Sequence, residues 1–260
     1  MQAVSSRSLT ITGMAATVLL VGCNAPDRDT GTNTGSTNAS AAGVWSGSDS
    51  VSGLGLAALI NSAGQAMFLR SDGVLFSGAA QVSGNTLVLT IDGYSAFPAA
   101  FSDGSTYGVG TVNGTVTTGT SLSANVSFTT NAGTAITGNW SLSYSALSND
   151  SSSTSTISGN YTDTTTGAVL SINSNGSMNS QNPNNGCVLN GSVSTTDSSL
   201  NIYQVSYSFG NCTGTYAVLN GVQLTGLATL NPSSPAQITV AVTGASATNQ
   251  YAIVSTLNGS

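Results

Sequence analysis

Beyond residue 42, the hydrophobic positions of the chain recur at every second residue. Trp140, Leu142 and Tyr144 alternate with serines; Tyr203, Val205, Tyr207 and Phe209 alternate with Gln204, Ser206 and Ser208; Ile238, Val240 and Val242 alternate with Thr239 and Ala241. A period of two puts successive side chains on opposite faces of an extended segment, so these stretches predict strands with one buried and one wetted face. Such alternation belongs to antiparallel sheets, because parallel strands covered on both faces read as unbroken apolar runs. Asp72-Gly73, Asp92-Gly93, Asp103-Gly104, Asn113-Gly114, Asn175-Gly176 and Asn220-Gly221 punctuate the strands, and each suits a turn that needs positive φ. No stretch after residue 42 shows helical periodicity with a cap.

The pattern is written twice. Laid on itself, the chain matches at an offset of about 111 to 116 residues, far above the period of a solenoid. Gly43-Val-Trp45 falls on Gly159-Asn-Tyr161, Ile60-Asn-Ser-Ala-Gly64 on Ile172-Asn-Ser-Asn-Gly176, and Gly73 to Gly78 on Gly186 to Gly191. Val126-Ser-Phe128 aligns with Ile238-Thr-Val240, and Trp140 to Tyr144 with Tyr251 to Ser255. Two domains follow, residues 43–148 and 157–260, joined by the polar linker Asn149 to Thr156. Each has about eight short strands. The expected fold is all-β: two tandem antiparallel up-and-down barrels of lipocalin-like form, closed because closure removes exposed edges, or two flattened sandwiches. Trp45 and Trp140 fall near the first and last strands of copy one, where a barrel would seal, and are expected in its core.

Residues 1–22 read differently. Arg7 precedes an apolar or small-residue run from Leu9 to Gly22, which has the form of a secretory signal and is short for a membrane-spanning helix. Leu20-Val21-Gly22-Cys23 resembles the lipobox of bacterial lipoproteins, and that resemblance implies cleavage before Cys23 and acylation of its thiol. Several acyl chains give stable anchoring where one is marginal. Asn24, in place of the Asp of an inner-membrane retention signal, points to the outer membrane if the host is Gram-negative. Residues 23–42 form the next segment: after Cys23, which the resemblance implies is lipidated, there is no large apolar side chain from Asn24 on, and these residues are expected to form a flexible tether with a reach of about 25 Å.

Composition narrows the chemistry. Only 5% of the residues are charged, the net charge is -6, and there is no Lys, Glu or His. Ser, Thr and Asn supply the polarity. With no basic stripe to neutralise phosphates, nucleic acid is excluded as a partner. Without His, Lys or Glu the usual general acids and bases are missing, and no abundant Ser or Thr has an ordinary base beside it, so the chain is read as non-enzymatic. Asp29-Thr30-Gly31 spells an aspartic-protease triplet, but no second copy exists to form the carboxylate dyad. Asp49, Asp72, Asp92, Asp103, Asp150, Asp163 and Asp197 match no calcium loop and read as turn formers. Arg70, the one cation beyond the tether, reads as a solvated rim charge. No metal or cofactor site is expected.

Three cysteines in an exported chain leave one over. Acylation of Cys23 accounts for it and leaves Cys187 and Cys212 to pair. A hairpin turning near Thr195 to Ser199 would bring the two close to register.

The series Gly-x-Trp-x-Gly, Ala-Leu-Ile-Asn-Ser-x-Gly, Gly-Cys-x-Leu-x-Gly-x-Val and Leu-x-Gly-x-Ala-x-Leu resembles a family of uncharacterised two-repeat proteobacterial lipoproteins over residues 43–257, a resemblance that implies no activity. A looser likeness in fold links the chain to small-barrel surface lipoproteins such as the lobes of transferrin-binding protein B. The reading is therefore an outer-membrane lipoprotein, held to the membrane by its N-terminal lipid, with a non-enzymatic binding, adhesion or structural role. The alternative is a lipocalin-like carrier of a small apolar ligand. A large internal cavity would favour the carrier, and a filled core the scaffold.

Overall fold

The computed structural model describes residues 37–164 and 166–260, so the expected signal segment, Cys23 and most of the tether lie outside the described residues. Copy one supplies β1 (Gly43–Asp49), β2 (Gly55–Ile60), β3 (Gln65–Arg70), β4 (Val74–Ala79), β5 (Gln81–Ser83), β6 (Thr86–Ser95), β7 (Tyr107–Thr117), β8 (Ser121–Thr130) and β9 (Ala135–Tyr144). Copy two supplies β10 (Gly159–Thr162), β11 (Val169–Ile172), β12 (Ser177–Gln181), β13 (Val188–Thr195), β14 (Tyr203–Gly210), β15 (Gln223–Asn231), β16 (Gln237–Ala245) and β17 (Gln250–Gly259). Every strand pair is antiparallel, and each copy closes into an eight-position barrel. In the first barrel β4 and the short β5 both pair with β6 and act as one interrupted strand. Closure leaves no open sheet edge, and the sandwich form is set aside.

Trp45 pairs with Tyr144 where β1 meets β9, and Tyr161 pairs with Gly259 where β10 meets β17. From that shared seam the two registers can be followed around both rings without conflict. Ala58 opposite Phe68 corresponds to Leu170 opposite Ser180, Phe68 opposite Phe76 to Ser180 opposite Leu189, and Gly78 opposite Ile91 to Gly191 opposite Tyr207. Local contacts repeat as well. The Trp45 indole N–H donates to the Ala41 carbonyl at 2.9 Å, and the Tyr161 hydroxyl donates to the Ile157 carbonyl at 3.0 Å.

Two of the sequence matches are corrected by this register. Trp140 corresponds to Ser255 rather than Tyr251, and Val126 to Val242 rather than Ile238; both matches were four residues out. A shift by an even number preserves a period-two pattern, so alternation alone cannot detect it.

The turn reading needs correction at Asp92-Gly93 and Asn113-Gly114, which lie inside β6 and β7. Gly93 gives room to a ring: a Cβ there would lie 2.3 Å from Cε2 of Phe128. The other four pairs do turn, with Gly73, Gly104, Gly176 and Gly221 at positive φ. Three short helical segments also occur among the described residues, Ala146–Asn149, Thr154–Ile157 and Gly214–Leu219, too short to leave a periodic signal. The stretch assigned to the tether is docked from Asn38: its Oδ1 accepts from the Gly84 N–H, the Ala39 N–H donates to Gly84, and Ala41 is buried. The linker is ordered too. Just before it, Ser148 is buried and bridges Val44 and Asn201, and within it Ser152 holds the Asp197 and Ser198 carbonyls.

The barrels pack side by side. Outward residues Val44, Leu59, Met67, Leu75 and Tyr94 of the first meet Ile202, Leu227, Ala241 and Ala252 of the second in one buried cluster. These strands carry apolar residues on both faces, as in Ala58-Leu59-Ile60 and Val240-Ala241-Val242. Such doubly apolar runs are the signature of a strand buried on both sides.

Candidate ligand cavity

The two barrels are filled differently. Phe68, Phe76, Phe128 and Trp140 form a continuous aromatic stack in the first: Phe68 lies 4.7 Å from Trp140, Phe76 5.4 Å from Trp140 and 5.5 Å from Phe128, ring centre to ring centre. Together with Trp45, all are buried. Edge-to-face and tilted pairs at this spacing add to the gain from apolar burial.

At the four equivalent positions the second barrel has Ser180, Leu189, Gly244 and Ser255. Part of the lost bulk returns on β14, where Tyr203, Tyr207 and Phe209 take the places that Leu87, Ile91 and Gly93 hold in the first barrel. The replacement is incomplete. A cavity of about 240 Å³ opens at one end of the second barrel, and Ser180, Leu189 and Ser255 line it. Leu170, Met178, Val240 and Leu257 are among its apolar lining residues, and Thr166, Asn182 and Asn185 among its polar ones. Burial raises the Tyr207 phenol above its ordinary range and pushes that of Tyr203 up to about 12.

The mouth is built by several segments. Cys187 and Cys212 are joined in a disulfide, both buried, with Cα atoms 4.0 Å apart. The pairing follows from the β13–β14 register, in which Val188 faces Gly210, although the hairpin turns later than expected, between Thr195 and Tyr203. The bond ties the start of β13 to the segment leading into the helical turn Gly214–Leu219, whose Tyr216 and Leu219 line the cavity. The Asn220 side chain grips the backbone of Cys212 by its N–H at 2.8 Å and its carbonyl at 3.1 Å. The remaining wall comes from the first copy: Phe97, just after β6, donates its N–H to the Ala252 carbonyl at 2.9 Å and sets its ring against Tyr216 and Tyr251.

Most of the carboxylates are tied into local structure. Asp103 accepts from Thr130 and Ser105, Asp197 from Ser199, and Asp163 from Thr166. The Ser105 and Thr130 hydroxyls hold the Asp103 carboxyl well below the usual range, and Ser199 lowers Asp197. Two depart from a simple turn role. Asp49 is buried and accepts from the Val51 and Asn139 N–H groups, pinning the β1 turn to β9. Asp92 sits within β6 and accepts from the Tyr107 hydroxyl at 2.5 Å.

Arg70 is not the solvated charge expected of it. Its side chain is 10% exposed, forms a two-point pair with Asp72 at 2.9 and 2.8 Å, and lies over the Phe76 ring at 5.9 Å. The pair spans two residues on one side of a hairpin, so alternation gave no sign of it. Among the described residues no group of three His, Cys, Asp or Glu side chains comes together, and no helix is long and apolar enough to cross a membrane. No protein-family model matches the chain, and no curated protein matches it.

Proposed function

We propose that the protein is a lipid-anchored lipoprotein of the outer membrane with a non-enzymatic role, in which the first barrel serves as a filled scaffold and the second as a carrier of a small apolar molecule. The observation that carries the reading is the contrast between the barrels: one register, one topology, and an aromatic core in the first where the second has a void of about 240 Å³. A packed barrel interior needs no opening, whereas an open-ended apolar hollow edged by a few polar groups is the ordinary form of a small-molecule site. Anchoring rests on Leu20-Val21-Gly22-Cys23 and its resemblance to a lipobox.

Protein purified from its host under native conditions should show a bound small molecule by native mass spectrometry, released on denaturation; a ligand-free mass throughout would reject the carrier. Cys23→Ala should move the protein from the membrane to the soluble fraction, and continued membrane retention would reject the lipid anchor.

A further inference from the structure

We propose that the cavity of the second barrel takes an uncharged, ring-bearing apolar molecule, and that Phe97 of the first barrel is part of the site. The inference rests on the carrier reading and specifies its ligand.

Size, wall and charge each narrow the ligand. An apolar cavity of about 150 Å³ accommodates benzene, so a hollow of about 240 Å³ with an open end takes a fused pair of rings and lets a further group reach the mouth. Its wall presents aromatic surface from Tyr207, Phe209, Tyr216 and Phe97, which favours flat rings through offset and edge-on contacts. No cationic side chain lines it. The only cation among the described residues, Arg70, is held by Asp72 on the first barrel. An anionic ligand would lose its hydration with no counter-charge to replace it, and the one charged lining residue, Asp163, is itself a carboxylate. Asp163 already accepts from the Thr166 hydroxyl at 2.8 Å. The other polar lining groups are amides and hydroxyls, suited to an uncharged polar tip.

Phe97 makes the site a product of both copies. Its backbone is bonded to β17, and its ring packs on Tyr216 and Tyr251, 5.4 and 6.0 Å between centres. The second copy alone would lack this wall.

The test uses the full chain carrying Cys23→Ala, in detergent-free buffer, and three fluorescent probes. N-phenyl-1-naphthylamine is uncharged, 8-anilino-1-naphthalenesulfonate is its anionic counterpart on the same ring skeleton, and thioflavin T is a cationic ring probe. Saturable binding of the uncharged probe at one site per chain is expected, with the sulfonate and the cation each at least about tenfold weaker. Ser180→Phe, which installs the ring that the first barrel has at this point, should weaken binding at least about tenfold, and Ser255→Trp is the independent second filling variant. Phe97→Ala should weaken it about three- to tenfold, the worth of an aromatic contact. Near-ultraviolet circular dichroism checks that each variant is folded. A charged probe that binds as tightly as the uncharged one, with the same sensitivity to Ser180→Phe, would overturn the ligand class and leave the carrier reading standing. Unchanged binding in folded Phe97→Ala would overturn the shared wall. Failure of every probe to bind would overturn the proposal, and the mass of the native protein would then decide the carrier reading separately.

Discussion

Phe68 and Ser180 stand at the same point of the two barrels, Phe68 opposite Phe76 and Ser180 opposite the equivalent Leu189. A ring closes the interior of one, and a hydroxyl edges the hollow of the other. The exchange predicts an asymmetry in stability. Phe68→Ser empties a buried site and should cost about 3–5 kcal/mol, the range for large-to-small aromatic substitutions. Ser180→Phe has a void to enter and should leave stability within about 1 kcal/mol of the parent or raise it. Urea unfolding of both variants checks this; a loss of several kcal/mol in Ser180→Phe would mean that the hollow cannot admit a ring.

Gly93 makes a second, local test. Its missing Cβ is the space occupied by Phe128, which a methyl group would approach to 2.3 Å, so Gly93→Ala should destabilise the first barrel by about 1–3 kcal/mol through overpacking. Gly210 has open space within 4 Å of its Cβ position and an ordinary φ. Gly210→Ala should therefore change stability by less than about 0.5 kcal/mol. Equal effects at the two sites, read by urea unfolding, would remove the packing explanation.

These contrasts mark the limit of what the pattern of residues along the chain carries. Strands, antiparallel pairing, duplication and the Cys187–Cys212 bond were legible because each leaves a local signal: alternation, turn residues, repeated motifs, paired thiols. The cavity was not. It depends on which residue of one copy stands where a given residue of the other stands, and the matches at Trp140 and Val126 were four residues out, which hid Ser255 behind Tyr251 and Gly244 behind Val240. Phe97 was invisible for a different reason, since it belongs to one repeat and serves the other. The packing of barrel on barrel did leave a trace, the doubly apolar runs around Leu59 and Ala241, which alternation alone reads as ordinary strands.

Coupling between the barrels can be measured through the position of the tryptophans. Both, Trp45 and Trp140, lie in the first barrel, so indole fluorescence reports that barrel alone. The disulfide lies in the second and closes a loop with a sequence separation of 25 residues. Its loss should cost about 3.5 kcal/mol in the chain-entropy model. The buried cluster joining Leu59, Met67 and Leu75 to Leu227 and Ala241 links the two units, so reduction should lower the urea midpoint seen by tryptophan as well as that seen by far-ultraviolet circular dichroism. A tryptophan transition that ignores reduction would show the barrels to unfold independently.

The pH dependence of stability should be flat across neutrality and bounded at both ends. The chain has no His, Lys or Glu, and the two described cysteines are paired, so the fold lacks the residue types whose ordinary range lies between about pH 5 and 9. At the acid end, Asp103 and Asp197 bind protons less readily in the fold than in the unfolded chain, because Ser105, Thr130 and Ser199 donate to their carboxylates. A lowered folded value means that their stabilisation is present above the unfolded value near 3.9 and is lost as the pH falls below it. At the alkaline end the sign reverses. Burial raises Tyr203, to about 12, and Tyr207, so the fold holds their protons more tightly, and that contribution is lost as the pH rises from about 10. Urea midpoints measured from pH 2 to 11 should trace a plateau with two falling limbs. Asp103→Asn should make the acid limb shallower without altering the alkaline one, since it removes the group that titrates and leaves the tyrosines untouched. An acid limb of unchanged slope in that variant would assign acid sensitivity to other carboxylates.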